Sequence, residues 1–138
     1  MKLHKGSLIL QSKRSEISKL ENLLFTLNEF YKIDQERFVN FHIAVSEALM
    51  NAIVHGNKES KDKKVYVDIF EEDNSVELTI KDEGTGFNTS DVPDPTKNNN
   101  LYKDHGRGIF IMKSLTDGYE CKTCESGTIV KLRIMIKK

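Results

Sequence analysis

Residues 64–83, KVYVDIFEEDNSVELTIKDE, carry the pattern on which the fold turns. Val65, Val67 and Ile69 alternate with Tyr66, Asp68 and Phe70, and Val76, Leu78 and Ile80 alternate with Glu77, Thr79 and Lys81. A period of two sends the two sets to opposite faces of a strand. Asp73-Asn74 supplies turn residues between the runs, so the segment reads as a β-hairpin. Downstream, residues 119–124 and 128–136 read as two more strands joined at Ser126-Gly127. Upstream, residues 5–11 hold Leu8-Ile9-Leu10 and read as a short strand.

Helices fill the space between. Ser15 and Glu16 read as a helix start, with a capping hydroxyl and an acid near the positive helix end. Ile17, Leu20, Leu24, Leu27 and Tyr31 then recur at three and four residues, which is one apolar stripe. A second helix runs from about Asp34 to Gly56. Phe38, Phe41, Val45, Ala48, Leu49, Ala52 and Ile53 form its broad apolar face, and Ile43, Met50 and Val54 cover much of the rest, so it is expected to be largely buried. A third helix opens at His105-Gly106-Arg107-Gly108 and stops at Asp117-Gly118. Residues 88–104 carry Pro93, Pro95 and three asparagines, a loop of about 17 residues where compact domains leave ~12–15, and long loops of this kind serve as lids. Hairpin-linked strands with grouped helices indicate an α+β sandwich rather than a parallel doubly wound sheet.

Composition sets the outer bounds. A chain of 138 residues with 38% hydrophobic and 30% charged residues fits one globular domain over residues 1–138. Lys+Arg 21 against Asp+Glu 21 leaves no surplus basic charge for sequence-independent nucleic-acid binding or a polybasic membrane anchor. No apolar run approaches the ~20 residues of a membrane span, and no secretory leader is legible, so the expected location is cytoplasmic. Cys121 and Cys124 form a CxxC spacing, which invites a redox or zinc reading. On a strand, however, residues three apart face opposite sides, which favours two separate structural cysteines.

Three places carry possible chemistry. Glu47 and Asn51 lie one helical turn apart, flanked by Ile43 and Val54, with His55 leaning to the same side. A carboxylate and an amide against an apolar helix wall need partners. They are either an internal polar network or exposed edge, or a base beside an oxygen ligand for a hard cation. Asp82 directly precedes Gly84-Thr85-Gly86 at a strand end, where glycines allow close backbone approach and the acid can accept from an amine. It is not a dinucleotide fingerprint, because the third glycine of G-x-G-x-x-G is missing. Gly106 and Gly108 at a helix start would offer free N–H groups to an anion, or would simply be a hinged loop end.

The order of these elements is more specific than any one of them. SEALMNAIVHGN (46–57), DEGTGF (82–87), a long loop, HGRGIFIMKSL (105–115) and ESGTIVKL (125–132) together resemble the ATP-binding fold of the GHKL superfamily, which includes gyrase B, histidine kinases and MutL. Within it the chain looks like the small anti-sigma-factor serine/threonine kinases, over about residues 35 to 137. The resemblance implies a two-layer α+β sandwich, a mostly antiparallel mixed sheet with three helices on one face. It implies ATP and Mg²⁺ as cofactors, Glu47 as general base and Asn51 as magnesium ligand. Asp82 would bind the adenine amino group with Gly84 and Gly86 lining the base. Gly106 and Gly108 would face the phosphates, and Thr128 would support the adenine through Asp82 and a water. His55 falls in the same nucleotide site. The partners implied are a sigma factor and an anti-anti-sigma protein, with a homodimer as the assembly. One departure stands out: the family tends to carry an arginine just before the second glycine box. Here that stretch is Leu101-Tyr102-Lys103-Asp104-His105, leaving Lys103 or Arg107 to supply the charge. A non-catalytic ATP-gated binding module therefore stands beside the kinase reading, and a plain α+β interaction domain behind both.

Overall fold

The computed structural model describes residues 1–84 and 99–138, with residues 99–106 described by their backbone alone. Five strands, β1 (Lys2–Gln11), β2 (Lys64–Glu72), β3 (Ser75–Lys81), β4 (Gly118–Cys124) and β5 (Gly127–Met135), form one sheet in the order β1-β2-β3-β5-β4. Each of the four pairings is antiparallel, so the sheet contains no parallel pair among the described residues, simpler than the mixed sheet expected. The hairpin at Asp73-Asn74 forms as its alternation predicts, with Asp73 in the left-handed region at φ 53.

Register explains the core. Val67 pairs with Ile80, Ile69 with Leu78, and Leu78 in turn with Leu132. Because paired residues share a face, these side chains make one apolar layer, and all five are 1% exposed or less. Helix α1 (Ile17–Tyr31) seats Leu20 and Leu24 against that layer. A 3₁₀ turn at Arg14–Glu16 precedes it, and Ser15 caps nothing there. The Glu16 carboxylate accepts instead from the Gln11 N–H (3.0 Å) and pairs with Lys19 (2.8 Å).

Helix α2 (Gln35–Met50) is capped by Asp34, whose side chain accepts from the Arg37 N–H. Phe38, Phe41, Val45, Ala48 and Leu49 are buried as their spacing predicts. The rest of the circumference is not: Val39 is 44% and Ile43 45% exposed, so the helix is not enclosed all round. The sheet lies on one side only, and a single layer of helices leaves the far side of each to solvent. After Met50 the chain winds as a π-helix, Asn51–Gly56, closed by the Asn57 N–H on Ala52 O at 2.8 Å.

Helix α3 spans Asn99–Ser114, so it begins six residues before the predicted His105. Asparagines and a loop-like composition argue against helix, yet a turn already packed on α2 gains a backbone hydrogen bond for each residue added. Propagation here overrides local propensity. Of the predicted 88–104 lid, residues 99–104 are helical and the remainder lies outside the described residues. No helix of the described residues is long and apolar enough to cross a membrane.

Candidate nucleotide site

Glu47 and Asn51 meet α3 at Gly108. A methyl group on Gly108 would come within 2.7 Å of Glu47 Oε1 and 3.2 Å of Asn51 Nδ2. The i, i+4 spacing on α2 puts both side chains on one side, and glycine lets α3 approach them. Both are half-buried, so the carboxylate keeps contact with solvent. His55 is exposed in the π-helical turn that follows, and Arg107 is exposed beside Gly108. Gly106 and Gly108 lie within α3 rather than at its start, so their N–H groups fall in the helical ladder instead of standing free for an anion. The sequence reading of a helix N-terminus at these glycines is corrected in this conformation, because the helix begins at Asn99.

Asp82 occupies a glycine cradle at the end of β3. It is 5% exposed, and its Oδ1 accepts from the Gly84 N–H (2.9 Å) and the Thr128 N–H (3.2 Å). Its own N–H donates to Thr128 O at 3.0 Å. Thr128 thus holds Asp82 directly through its backbone. Burial pushes the Asp82 carboxyl above its ordinary value, against the lowering effect of the two N–H donors. Three glycines make room: a Cβ on Gly56 would lie 2.2 Å from Asp82 Oδ2, one on Gly84 2.2 Å from Gly56 O, and one on Gly127 2.1 Å from Asp82 O. Gly127 also has φ +141, a backbone conformation that L side chains rarely adopt.

Gly56 and Gly127 do more in this cradle than their local sequence announces. Gly56 reads as an ordinary helix stop, and only its contact with a residue 26 positions away reveals its use. Gly86 lies outside the described residues, and Lys103 lies where the backbone alone is described. Cys121 and Cys124 are free and exposed on β4, paired with Val130 and Gly127 across the strand.

The residues suit a magnesium nucleotide. Glu47 and Asn51 bring side-chain oxygens of the kind a hard cation takes. The described donors to Asp82 both fall on Oδ1, which leaves Oδ2 as acceptor for an amine.

Comparison with known proteins agrees with this geometry. The model of the histidine kinase-like ATPase domain matches residues 14–134, extending through α1 beyond the stretch marked by motifs, and the chain belongs to that family. Its curated relatives place it in the anti-sigma branch. It is 38% identical to the anti-sigma F factor of Heyndrickxia coagulans over 95 residues, covering 64% of this chain and 63% of that protein. It is 37% identical to the anti-sigma F factor of Bacillus thuringiensis over 101 residues, covering 70% and 68%. The chain thus spans about two thirds of the length of the curated relatives it matches. Among solved structures, the RsbU and RsbW domains of a Mycobacterium tuberculosis protein superpose with a TM-score of 0.68 at 17% identity, covering 95% of this chain and 32% of that one. The histidine kinase domain of an Erythrobacter litoralis blue-light activated kinase gives 0.57 at 19%, covering 87% and 60%. At such identities these two structures establish the fold alone.

Proposed function

We propose that the chain is an ATP- and Mg²⁺-dependent protein serine/threonine kinase that acts as an anti-sigma factor, phosphorylating an anti-anti-sigma partner. The observation that carries this reading is the convergence of Glu47 and Asn51 on Gly108. Glu47 takes the proton from the serine or threonine hydroxyl that accepts the phosphoryl group. A half-buried carboxylate is open enough for a partner's side chain to reach. Asn51 is the protein ligand to the cation, and Asp82 accepts from the adenine amine with Gly84 and Gly86 against the base. Thr128 fixes Asp82, while His55, Lys103 and Arg107 face the nucleotide's charged end, and Gly106 and Gly108 reach it only where the start of α3 unwinds. Magnesium, when bound, offsets phosphate charge; the rest is positioning and electrostatics. The anti-sigma role rests on the relatives named above. A sigma factor and an anti-anti-sigma protein are accordingly the partners, with residues 88–104 as lid, a homodimer as the assembly and the cytoplasm as the location.

Glu47→Ala should keep ATP affinity within about tenfold yet lose partner phosphorylation by ~10²–10⁴, the usual contribution of a positioned base. Calorimetry with ATP·Mg and mass spectrometry of the partner measure the two. A wild type that binds ATP but labels no serine or threonine would sink the kinase reading. The ATP-gated binding module would then stand, favoured by the missing arginine before Gly106.

A further inference from the structure

The register of β2 and β3 runs through Tyr66↔Lys81. Carried two residues further on each strand, it would set Lys64 opposite Glu83. Those two do not close the ladder. Instead the side-chain amide of Asn57 stands between them: its Nδ2 donates to Lys64 O at 2.9 Å, and its Oδ1 accepts from the Glu83 N–H at 2.7 Å. The Lys64 N–H turns to the Glu83 carboxylate at 2.6 Å. Asn57 Nδ2 also donates to Ser12 Oγ (3.0 Å), which itself donates to Lys63 O (2.6 Å). Asn57 is 0% exposed, so its amide depends entirely on these partners.

We propose that Asn57 is a positioning residue for the nucleotide base: its amide substitutes for a ladder bond between Lys64 and Glu83, holds the ends of β2 and β3 apart, and thereby aims the Asp82 carboxylate. The Glu83 N–H that it grips belongs to the peptide joining Asp82 to Glu83. A hydrogen bond there sets the orientation of that peptide, and with it the Asp82 backbone from the side opposite Thr128. Consecutive residues at the end of the π-helical turn serve consecutive residues after β3, since Gly56 makes room for the Asp82 side chain while Asn57 fixes the next N–H. Without the amide, Glu83 N–H and Lys64 O can collapse into a direct strand bond, drawing Asp82 out of line.

This inference rests on the reading of Asp82 as the adenine ligand, and the test separates the two. ATP and inosine triphosphate differ at the 6-position, amine against oxo, so their affinity ratio reports on the aim of Asp82. Both are titrated calorimetrically into the full chain as wild type, Asn57→Ala, Asn57→Ser and Ser12→Ala. Asn57→Ser retains an oxygen in the gap and is the variant to read if Asn57→Ala does not fold. The Asn57 variants should lose ATP affinity by about ten- to a hundredfold, the range for a hydrogen bond to a charged group, while inosine triphosphate shifts by less than about threefold. Ser12→Ala disturbs the same buried network without touching Glu83; it should lower the melting temperature and leave the ratio alone. Equal losses for both nucleotides, or an unchanged ratio in a folded Asn57 variant, would overturn the positioning role. A wild type with no preference for ATP overturns the Asp82 reading itself, and the inference falls with it.

Discussion

Asp82 combines two demands that conflict at the scale of a single residue. Burial raises the pKa of its carboxyl, so the folded protein takes up this proton at a higher pH than the unfolded chain does. The sign follows from linkage: the associated stability is present below the unfolded value and is lost as pH rises through the folded one. Above the folded value the ionised group is thus a cost to the empty protein. Asp82→Asn removes that charge yet keeps an oxygen for the Gly84 and Thr128 N–H groups. The melting temperature of the nucleotide-free variant at neutral pH should match or exceed wild type. ATP binding should weaken by about 1–3 kcal/mol, because a charge-assisted acceptor is gone. Acidification should weaken ATP binding in wild type at a pH above the ordinary aspartate range, and this contribution should vanish in the variant. Calorimetry over a pH series reads both effects.

Among the elements, α3 and the β4–β5 hairpin use glycine for opposite reasons. Gly108 is a helix-interior glycine whose added methyl would meet the end of the flexible Glu47 side chain. Gly108→Ala should therefore gain up to ~1 kcal/mol of stability from helix propensity while displacing Glu47 and reducing phosphorylation. Gly127 sits at φ +141 with a backbone oxygen in the way, and nothing there can yield. Gly127→Ala should destabilise by about 1–3 kcal/mol and loosen Asp82 as well. Urea unfolding of the pair distinguishes the two cases by sign. The N-terminal turns of α3 supply a further expectation. The Gly106 and Gly108 amides can face a phosphate only if the helix from Asn99 unwinds before them, so ATP·Mg should change hydrogen exchange across residues 99–108. Identical exchange with and without nucleotide would remove these glycines from the phosphate site.

The whole molecule is closed by Asp117, far along the chain from most of what it holds. Its carboxylate accepts from the Met135 N–H (2.8 Å) and Lys138 Nζ (2.8 Å), and lies 3.7 Å from Arg37 at the start of α2. Arg37 also donates to Met135 O. Burial pushes the Asp117 carboxyl up, but Lys138, the Met135 N–H and Arg37 together outweigh it and hold the group below its ordinary value. A depressed carboxylate stabilises the fold above its unfolded pKa, and that stability is lost as pH falls through the folded one. Asp117→Asn should cost about 1–3 kcal/mol in urea at pH 7. The difference from wild type should shrink below about pH 4, where an ordinary aspartate is itself protonated.

Much of this was legible before any fold was known. The alternation of Val65 to Ile69 and Val76 to Ile80, the turn at Asp73-Asn74, the stripe of α1 and the Glu47–Asn51 spacing are all set by neighbours within a few residues. A local period fixes which side chains share a face, whatever that face later packs against. The order of the glycine boxes carried the family for the same reason, since spacing along a chain survives without coordinates. Packing decided the rest. Val39 and Ile43 are apolar like their neighbours, and only the one-sided helix layer leaves them in solvent. Asn99 through Asp104 read as loop, but a helix anchored on α2 extends through them. Asn57 has no local signal at all: its worth comes from Ser12, Lys64 and Glu83, which lie 45, 7 and 26 positions away. Hydrogen bonds between such distant residues depend on where whole elements dock, which no period of two or 3.6 encodes.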